Sequence, residues 1–432
     1  MSGVMKEGKM DISEVKIINV SAELKKKAKR NVSRRKALTA CVILLIVAIA
    51  FVVFFSVVLN ARRSLGVGIG STDCAYKTVL ADIEGISAAN PKIVDIAMLG
   101  AHDANTASIQ YGNPLDGEGE NGILGKVYPV SKGFQYRYAV TQTVSVGQIL
   151  LQGARFLHLK YSYYNGDWVA CHSITGRALE QDVVEVLRFL EDAKGEVVVL
   201  LFQPGYFGDQ SFDTFHDWLA GVTYNGKNLF DYIYYGEVNT YGLNRKYPYD
   251  EEKVNLYDLT YNDVTQNGTK AGVVLLDRND GETDYNHFTE KSEYSDYFFD
   301  MDSNAEHEWH DSIGEQSLVN GINDFYCELS EDYFAEYKLR VNQAQAAFSV
   351  ASAGDVFRSI GAWSLLKFAE EYNANLLDNE LFDEWLKMMP IFQVDFVNSD
   401  YKDFNRRVNE KIRARNVEIV EELLAELAEG EI

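Results

Sequence analysis

The sequence is poor in the residues that mark several special classes of protein. Its 432 residues include four cysteines and six prolines, which excludes a disulfide-stapled miniprotein and a collagen-like chain. Hydrophobic residues make up 47% of the chain, so it can bury a large core and is not disordered. Positive charge is also scarce, since 41 Lys and Arg face 64 Asp and Glu for a net charge of -23. Nucleic-acid phosphates require a basic footprint, and we therefore expect no nucleic-acid partner.

The charge is distributed very unevenly along the chain. Residues 1–37 hold eleven basic and four acidic side chains, and residues 38–59 hold no charge, Pro or Gly. At a helical rise of about 1.5 Å per residue, this uncharged segment spans a hydrocarbon core. We predict one transmembrane helix at 38–59; a cleaved signal peptide is the alternative, but its apolar region is shorter, at about 7–15 residues. The basic flank predicts a cytoplasmic tail at 1–37 and an extracytoplasmic location for the rest.

The remaining residues, 60–432, carry a net charge of -30 and contain no repeat or Pro-rich linker. We predict a stalk at 60–85 and one large domain at 86–432. Three cysteines lie in this part, Cys74, Cys171 and Cys327, and their spacing does not select a disulfide pair. No CxxC or His/Cys cluster suggests a zinc site.

Apolar, β-rich runs alternate with helical patterns through the large domain. Nearly continuous apolar strands between helices are typical of an α/β protein with a parallel sheet covered on both faces, and its size fits an α/β barrel. An acidic and aromatic segment at about 280–331 lacks a clean period, and we predict an insertion over one rim. The predicted strands are 93–99, 155–163, 197–202, 272–276 and 391–397, and the predicted helical stretches are 144–151, 179–194, 363–388 and 402–429.

Polar residues interrupt this pattern at the ends of two strands. The first predicted strand, 93–99, runs directly into Gly100, Ala101, His102 and Asp103, and the catalytic groups of parallel barrels gather at such strand ends. In the second strand, RFLHLKYSY, alternation places His158 and Lys160 on the same side and Arg155 on the other. A lysine that faces a barrel interior needs an anion or a carboxylate as its partner.

Two later positions extend this set. His172 ends the short apolar run WVACH, and Asp395 lies within the last strand, IFQVDFV. A buried carboxylate needs a histidine or another cation as a partner. Two histidines, a lysine and carboxylates suit acid/base chemistry on a phosphodiester: one histidine takes a proton from a hydroxyl, the other protonates the leaving oxygen, and the cation stabilises charge on phosphorus oxygens.

At these residues the sequence resembles the phosphatidylinositol-specific phospholipases C, in particular their X domain and the metal-independent bacterial enzymes. The resemblance is dense over 90–205 and returns at 393–396. The segment IAMLGAHDA is similar to the family's strand that ends in Gly-Thr-His-Asp-Ser, and ILLQGARF is similar to its Q-L-x-x-G-I-R motif. The matching positions are 96–104, Gln142, 149–156, His172, 179–184 and 195–200.

The resemblance implies a distorted TIM-type (β/α) barrel and a role for each matching residue. His102 aligns with the general base that activates the inositol 2-hydroxyl, and His172 with the general acid that protonates the departing diacylglycerol oxygen. Asp395 aligns with the carboxylate that orients the base, and Asp103 with the acidic neighbour on the leaving-group side. The implied products are diacylglycerol and a cyclic inositol phosphate.

The sequence departs from the family in the second and third strands. His158 and Lys160 occupy positions that hold Asp and Arg in bacterial members and acidic residues in calcium-dependent members. Calcium requires hard oxygen ligands, so we expect no metal or cofactor and assign the phosphate-binding charge to Lys160. Gln203 occupies the region where a bacterial enzyme supplies a lysine to the inositol hydroxyls. We predict that His158, Gln203 and Arg155 bind substrate.

These observations favour a membrane-anchored phosphodiesterase that acts on a phospholipid or another inositol phosphodiester. One alternative is a glycerophosphodiesterase-like hydrolase, which requires a carboxylate cluster for calcium or magnesium. The other is a catalytically degenerate binding module on the cell surface. The loss of the family's Arg and Lys favours the binding module, whereas the retention of both His102 and His172 opposes it.

Overall fold

The computed structural model describes residues 12–60, 75–121, 123–235, 252–278, 292–310, 312–332, 335–347 and 364–430. The chain divides into two compact units, Met1–Val58 and Leu59–Ile432. Residues 61–74 of the predicted stalk lie outside the described part. Residues 75–85 pack as part of the second unit: Val79 and Leu80 are buried, and their N–H groups donate to the Glu196 carboxylate. These residues are therefore not a stalk.

The described residues of the first unit belong to helix α1, Ile12–Asn60, which ends two residues beyond it. Its stretch Ser21–Val53 is long and apolar enough to cross a membrane, with a mean hydropathy of 2.8 in an 18-residue window. A signal sequence near the N-terminus meets the same criteria. The predicted apolar helix is present, and the bounds 38–59 and the sidedness of the chain stay predictions.

The second unit is built around a curled, mainly parallel sheet. The strand order is β7-β6-β5-β2-β1-β10-β9-β8, with β3 and β4 attached to β2 as an antiparallel extension. This architecture confirms the predicted distorted (β/α) barrel. The strands are β1 Met98–Ala101, β2 Ala154–Tyr164, β3 Asp167–His172, β4 Ile174–Ala178, β5 Val197–Tyr206, β6 Gly272–Asp277, β7 Phe298–Asp300, β8 Ala305–His307, β9 Leu339–Gln343 and β10 Ile391–Val394.

Helices cover the outer face of the sheet. In α6, Val183, Val186, Leu187 and Leu190 recur at helical spacing and are all buried, which explains why this segment packs as an amphipathic helix. The predicted helical stretch 363–388 is divided into α11 and α12. The helices are α2 Ile86–Ala89, α3 Gly117–Asn121, α4 Ile123–Ala139, α5 Val146–Leu151, α6 Leu179–Asp192, α7 Phe212–Gly221, α8 Tyr261–Thr265, α9 Met301–Asn304, α10 Glu315–Glu331, α11 Leu365–Leu377, α12 Phe382–Met388 and α13 Phe404–Glu429.

The segment predicted as an insertion contributes to the barrel itself. Of the range 280–331, residues 280–291 and 311 lie outside the described part, and the rest forms β7, α9, β8 and α10. Strand β7 pairs with β6, and β8 pairs with β9. Each strand has three residues, too few to display a period of two, so the sequence pattern did not reveal them.

Two buried clusters follow the alternation of side chains along the strands. Phe156, Val199, Leu201 and Leu276 belong to the cluster inside the barrel. Their sequence neighbours, such as Leu157, belong to the larger cluster between the sheet and the helices. The period of two therefore assigns each strand position to the interior or to the helical layer.

Candidate active site

The side chains that face the barrel interior change from apolar to polar at the carboxyl ends of the strands. In β2, Phe156 is followed at a spacing of two by His158 and Lys160, and in β5 Leu201 is followed by Gln203. These side chains contribute to a cavity of about 220 Å³. Its lining residues are His102, Asp103, Phe156, His158, Lys160, His172, Leu201, Gln203, Arg278, Met301, Trp309, Gln343 and Gln393.

Close pairing of β1 with β10 joins His102 to Asp395. A Cβ at Gly100 would lie 3.0 Å from the Cα of Gln393, so a side chain at this position would push the two strands apart by a few tenths of an ångström. The His102 N–H donates to the carbonyl of Val394, and His102 Nδ1 lies 2.8 Å from Asp395 Oδ1. Because Nδ1 faces the carboxylate, Nε2 is the nitrogen left for chemistry.

Three turns at this rim adopt a left-handed backbone conformation. Asp103 has φ of 41°, Ser173 follows His172 with φ of 58°, and Phe396 follows Asp395 with φ of 53°. Such a conformation is costly for a bulky residue like Phe396. Ala104, Ile174 and Val397, which follow these turns, are buried in the larger cluster between the sheet and the helices.

The Asp103 carboxylate contacts three imidazoles. Its Oδ2 lies 3.5 Å from His102 Nε2 and 3.4 Å from His172 Nδ1, and its Oδ1 lies 3.3 Å from His158 Nδ1. Burial raises the pKa of Asp103, but His102, His172, His158 and Lys160 lower it more, so its pKa lies well below the usual range. Asp103 is therefore a buried anion.

His172 borders the same cavity from β3. Its Nδ1 donates to the carbonyl of Ala139 over 3.0 Å, and the centroids of the His102 and His172 rings are 6.4 Å apart. The hydrogen bond to Ala139 fixes the ring and leaves Nε2 available. A ligand in this cavity can touch both imidazoles.

The histidines differ in protonation. Burial lowers the pKa of His102, but Asp103 and the hydrogen bond to Asp395 outweigh this effect, so its pKa is raised. Burial lowers the pKa of His172 in spite of Asp103. Burial lowers the pKa of His158 to about 3, so His158 is a neutral hydrogen-bonding group. Burial raises the pKa of Asp395, and the hydrogen bond from His102 only partly offsets this.

Lys160 supplies a positive charge to the cavity. Its Nζ lies 3.8 Å from Glu118 Oε2. Burial lowers the pKa of Lys160, but Glu118 and Asp103 outweigh burial, so its pKa is raised. The side chain is therefore an ammonium.

The structure brings together most of the residues that the sequence predicted for a site. His102, Asp103, His158, Lys160, His172 and Gln203 line one cavity, and Asp395 contacts His102.

Arg155 does not reach this cavity. The Arg155 guanidinium is buried, with Nε 2.7 Å from Glu196 Oε2, and it donates to the carbonyls of Leu150 and Ala154. Arg155 lies at the amino end of β2, on the face opposite His158. The prediction that it binds substrate is therefore corrected: it forms a structural ion pair.

Sequence reasoning missed several residues of the cavity. Arg278 directly follows β6, as His102 follows β1, so the same rule could have found it. Gln393 precedes Asp395 by two positions in a predicted strand. Gln343 ends a strand that was not predicted, and Trp309 follows another; the Trp309 ring lies 5.5 Å from that of His102. No signal in the sequence identified these last two.

Three of the cavity residues could also hold a metal ion. His102, Asp103 and His158 each offer a ligand atom, and these atoms lie within 4.8 Å of one another. Two imidazole nitrogens with one carboxylate suit a transition metal better than calcium, which prefers oxygen.

Comparisons with known proteins agree in fold. A phosphatidylinositol-specific phospholipase C of Staphylococcus aureus matches with a TM-score of 0.50 and 12% identity, covering 80% of this chain and 99% of that chain. The phosphatidylinositol-specific phospholipase C of Listeria monocytogenes matches with a TM-score of 0.46 and 16% identity, covering 79% of this chain and 98% of that chain. No protein-family model matches the chain, and no curated protein matches its sequence. The large unit of this chain thus has the fold of the bacterial phosphatidylinositol-specific phospholipases C.

Proposed function

We propose that this protein is a membrane-anchored phosphodiesterase of the phospholipase C type that releases diacylglycerol and a cyclic inositol phosphate. One observation carries the proposal: His102 and His172 border the same cavity, and the Asp103 carboxylate lies within 3.5 Å of a nitrogen of each. Two imidazoles that border one cavity can serve as the base and the acid of an in-line displacement at phosphorus.

The first step is attack by a hydroxyl of the headgroup. His102 Nε2 takes the proton of that hydroxyl while its oxygen forms the new bond to phosphorus. Asp395 accepts the Nδ1 hydrogen bond of His102 over 2.8 Å, which orients the ring and stabilises the imidazolium that forms. The ammonium of Lys160 stabilises the charge that develops on the phosphorane oxygens.

The second step breaks the bond between phosphorus and the glycerol oxygen. His172 donates a proton to that oxygen, so diacylglycerol leaves as an alcohol and the phosphate stays as a cyclic diester. Because Ala139 fixes Nδ1 of His172, the proton that is transferred belongs to Nε2. Burial lowers the pKa of His172, and a bound phosphodiester anion counteracts this by favouring the imidazolium.

The remaining polar side chains are assigned to the headgroup. His158 is neutral, so it can exchange hydrogen bonds with a hydroxyl without competing as a base. Gln203 and Gln393 offer amide donors and acceptors in the same cavity. Amides and a neutral imidazole suit a polyol.

The two alternatives lack this support. A glycerophosphodiesterase-like hydrolase requires a carboxylate cluster, whereas Asp103 is the one carboxylate among the described residues that line the cavity. A degenerate binding module would not need two imidazoles, an orienting carboxylate and an ammonium around one cavity.

The decisive experiment is product analysis. The full chain is incubated with vesicles of phosphatidylinositol, phosphatidylcholine or phosphatidylglycerol, and separately with glycerophosphoinositol, and products are followed by ³¹P NMR. A cyclic inositol phosphate that His102→Ala fails to form would support the proposal. A linear phosphomonoester from glycerophosphoinositol would favour the hydrolase, and no product from any substrate would favour the binding module.

The same assay tests the prediction that no metal takes part. With EDTA present we expect an unchanged rate, because the imidazoles and Lys160 supply the acid, base and cation. Loss of activity in EDTA with recovery on adding calcium or zinc would contradict this prediction.

A further inference from the structure

We infer that an apolar chamber beside the catalytic cavity binds the hydrocarbon part of the leaving group and thereby selects lipids over soluble diesters. This inference rests on the proposed function, because it assigns the chamber to the side on which the bond to phosphorus breaks. The chamber has a volume of about 270 Å³. Its lining residues are His102, Phe134, Gln135, Tyr138, Ala139, His172, Ser173, Ile174, Trp309, Ala346, Ala347 and Leu365.

The chamber and the catalytic cavity have contrasting walls. The cavity is lined by Lys160, Arg278 and several amides. Among the described residues that line the chamber there is no Lys, Arg, Asp or Glu. Ile174, Leu365 and Ala346 are buried there at 6% exposure or less. Such a wall favours hydrocarbon over a charged or hydroxylated group.

Three residues border both spaces: His102, His172 and Trp309. A phosphorus atom that meets both imidazoles therefore lies at the boundary, with one substituent on the polar side and the other on the apolar side. The hydroxylated headgroup suits the cavity of amides and cations. The other substituent, the glycerol with the start of its acyl chains, is then the occupant of the chamber.

The position of His172 fits this division. Its Nδ1 donates to the carbonyl of Ala139, which itself lines the chamber at the end of α4. The general acid is thus fixed to the wall of the chamber. A leaving group that enters the chamber brings its oxygen to the imidazole that must protonate it.

The test measures binding of monoalkyl phosphates, from methyl to octyl phosphate, to the full chain in phosphatidylcholine nanodiscs by calorimetry, with empty nanodiscs subtracted. Each methylene that enters the chamber should lower the Kd about fourfold, until the chamber is filled. Alcohols with the same alkyl chains but no phosphate are the control for binding of the hydrocarbon alone.

Variants locate the effect. Ala346→Phe fills the chamber and should make the affinity nearly independent of chain length while leaving methyl phosphate binding unchanged. Ala220→Phe adds the same ring on α7, at a residue that lines neither the cavity nor the chamber. This variant should show the wild-type dependence of Kd on alkyl length. If Ala346→Phe fails to fold, Leu365→Ala decides: it removes a contact and should weaken octyl phosphate but not methyl phosphate binding.

The outcomes separate this inference from the proposed function. A Kd that does not depend on chain length, or a dependence that Ala346→Phe and Leu365→Ala leave intact, would overturn the chamber assignment even if phospholipids are cleaved. Affinity that rises with chain length in a protein that cleaves no phospholipid would instead overturn the proposed function and leave an alkyl phosphate-binding site.

Discussion

Asp103 links the protonation of the three imidazoles. It raises the pKa of His102 and of His172, but burial still leaves the pKa of His172 lowered and that of His158 at about 3. His102 therefore holds a proton most readily in the free protein. A base must be neutral and an acid protonated, so the assigned roles require the pH to exceed the pKa of His102 and the substrate anion to raise that of His172.

Replacing each histidine by alanine distinguishes the acid from the base. We expect His102→Ala and His172→Ala each to lower kcat/KM on a lipid substrate by about 10²–10⁴-fold, the usual range for a lost acid or base. In an inositol p-nitrophenyl phosphodiester, the leaving group departs as p-nitrophenolate and needs no proton. This substrate should therefore restore most of the rate of His172→Ala but not of His102→Ala. Restoration of His102→Ala instead would exchange the two roles.

The hydrogen bond between Asp395 and His102 should set the acidic limb of the pH profile. The rate on the p-nitrophenyl ester should rise with pH as His102 loses its proton, through a pKa above its ordinary value. Asp395→Asn removes a charge that stabilises the imidazolium, so the pKa of His102 falls and the limb moves to lower pH. The maximum rate falls as well, because the ring is less well oriented. Measured kcat/KM against pH would contradict the assignment if the limb stayed in place or moved up.

At the scale of the elements, the connections after β1 and β10 are joined by one side chain. Gln142 Nε2 donates to the carbonyls of His102 at 3.0 Å and Val394 at 3.2 Å, and its Oε1 accepts the Val397 N–H at 3.1 Å. These bonds hold the strand ends that carry His102 and Asp395. In the proposed mechanism Gln142 would therefore be a positioning residue, since it would act through the backbone of both strands.

Removing this connection should affect chemistry more than binding. We expect Gln142→Ala to lower kcat by about 10–10²-fold, the scale of a small misplacement of reacting groups, with little change in KM. Thr143→Ala is the matched control, since its hydroxyl bonds Asn398 between the same segments but touches neither carbonyl. An equal fall of kcat in both variants would contradict the positioning role. A rise in KM with unchanged kcat for Gln142→Ala would contradict it as well.

The strand pattern predicted the longest apolar strands but not the five-residue β9. Strands β2, β5 and β6 are long, buried and apolar, so their positions and their interior faces follow from the sequence. The same alternation places Arg155 on the face opposite His158, so its side chain cannot reach the cavity in spite of its charge. Its guanidinium makes a buried ion pair with Glu196. The three-residue β7 and β8 lack a local signal, because they are fixed by pairing with β6 and β9, and no local pattern identifies Trp309.

The arrangement of the candidate site itself depends on contacts across the chain. His102 and Asp395 are 293 positions apart, and only the parallel pairing of β1 with β10 makes them neighbours. Alternation predicted which way each side chain points along one strand, but the meeting of different strands depends on the order of the whole sheet. The residues that the sequence identified were those whose polarity conflicted with a buried strand.

At the scale of the whole molecule, the negative charge of the large unit opposes the proposed membrane location. Residues 60–432 carry a net charge of -30, and anionic lipid surfaces repel such a domain at low salt. Electrostatic attraction would therefore not bring the cavity to the proposed lipid substrate. Helix α1 can do so if it spans the membrane, because a tether raises the effective concentration of the lipid around the cavity.

Removal of residues 1–59 should therefore separate chemistry from access to the membrane. We expect the shortened protein to cleave a soluble inositol p-nitrophenyl phosphodiester at the rate of the full chain, because Leu59–Ile432 forms its own compact unit. On vesicles, its rate should fall by about 10² or more, the scale of lost tethering. Added salt should recover part of that loss on anionic vesicles but not on neutral ones, since it screens the repulsion. Equal rates of the two forms on vesicles would show that the cavity reaches lipid without α1, and the anchor would then have no part in catalysis.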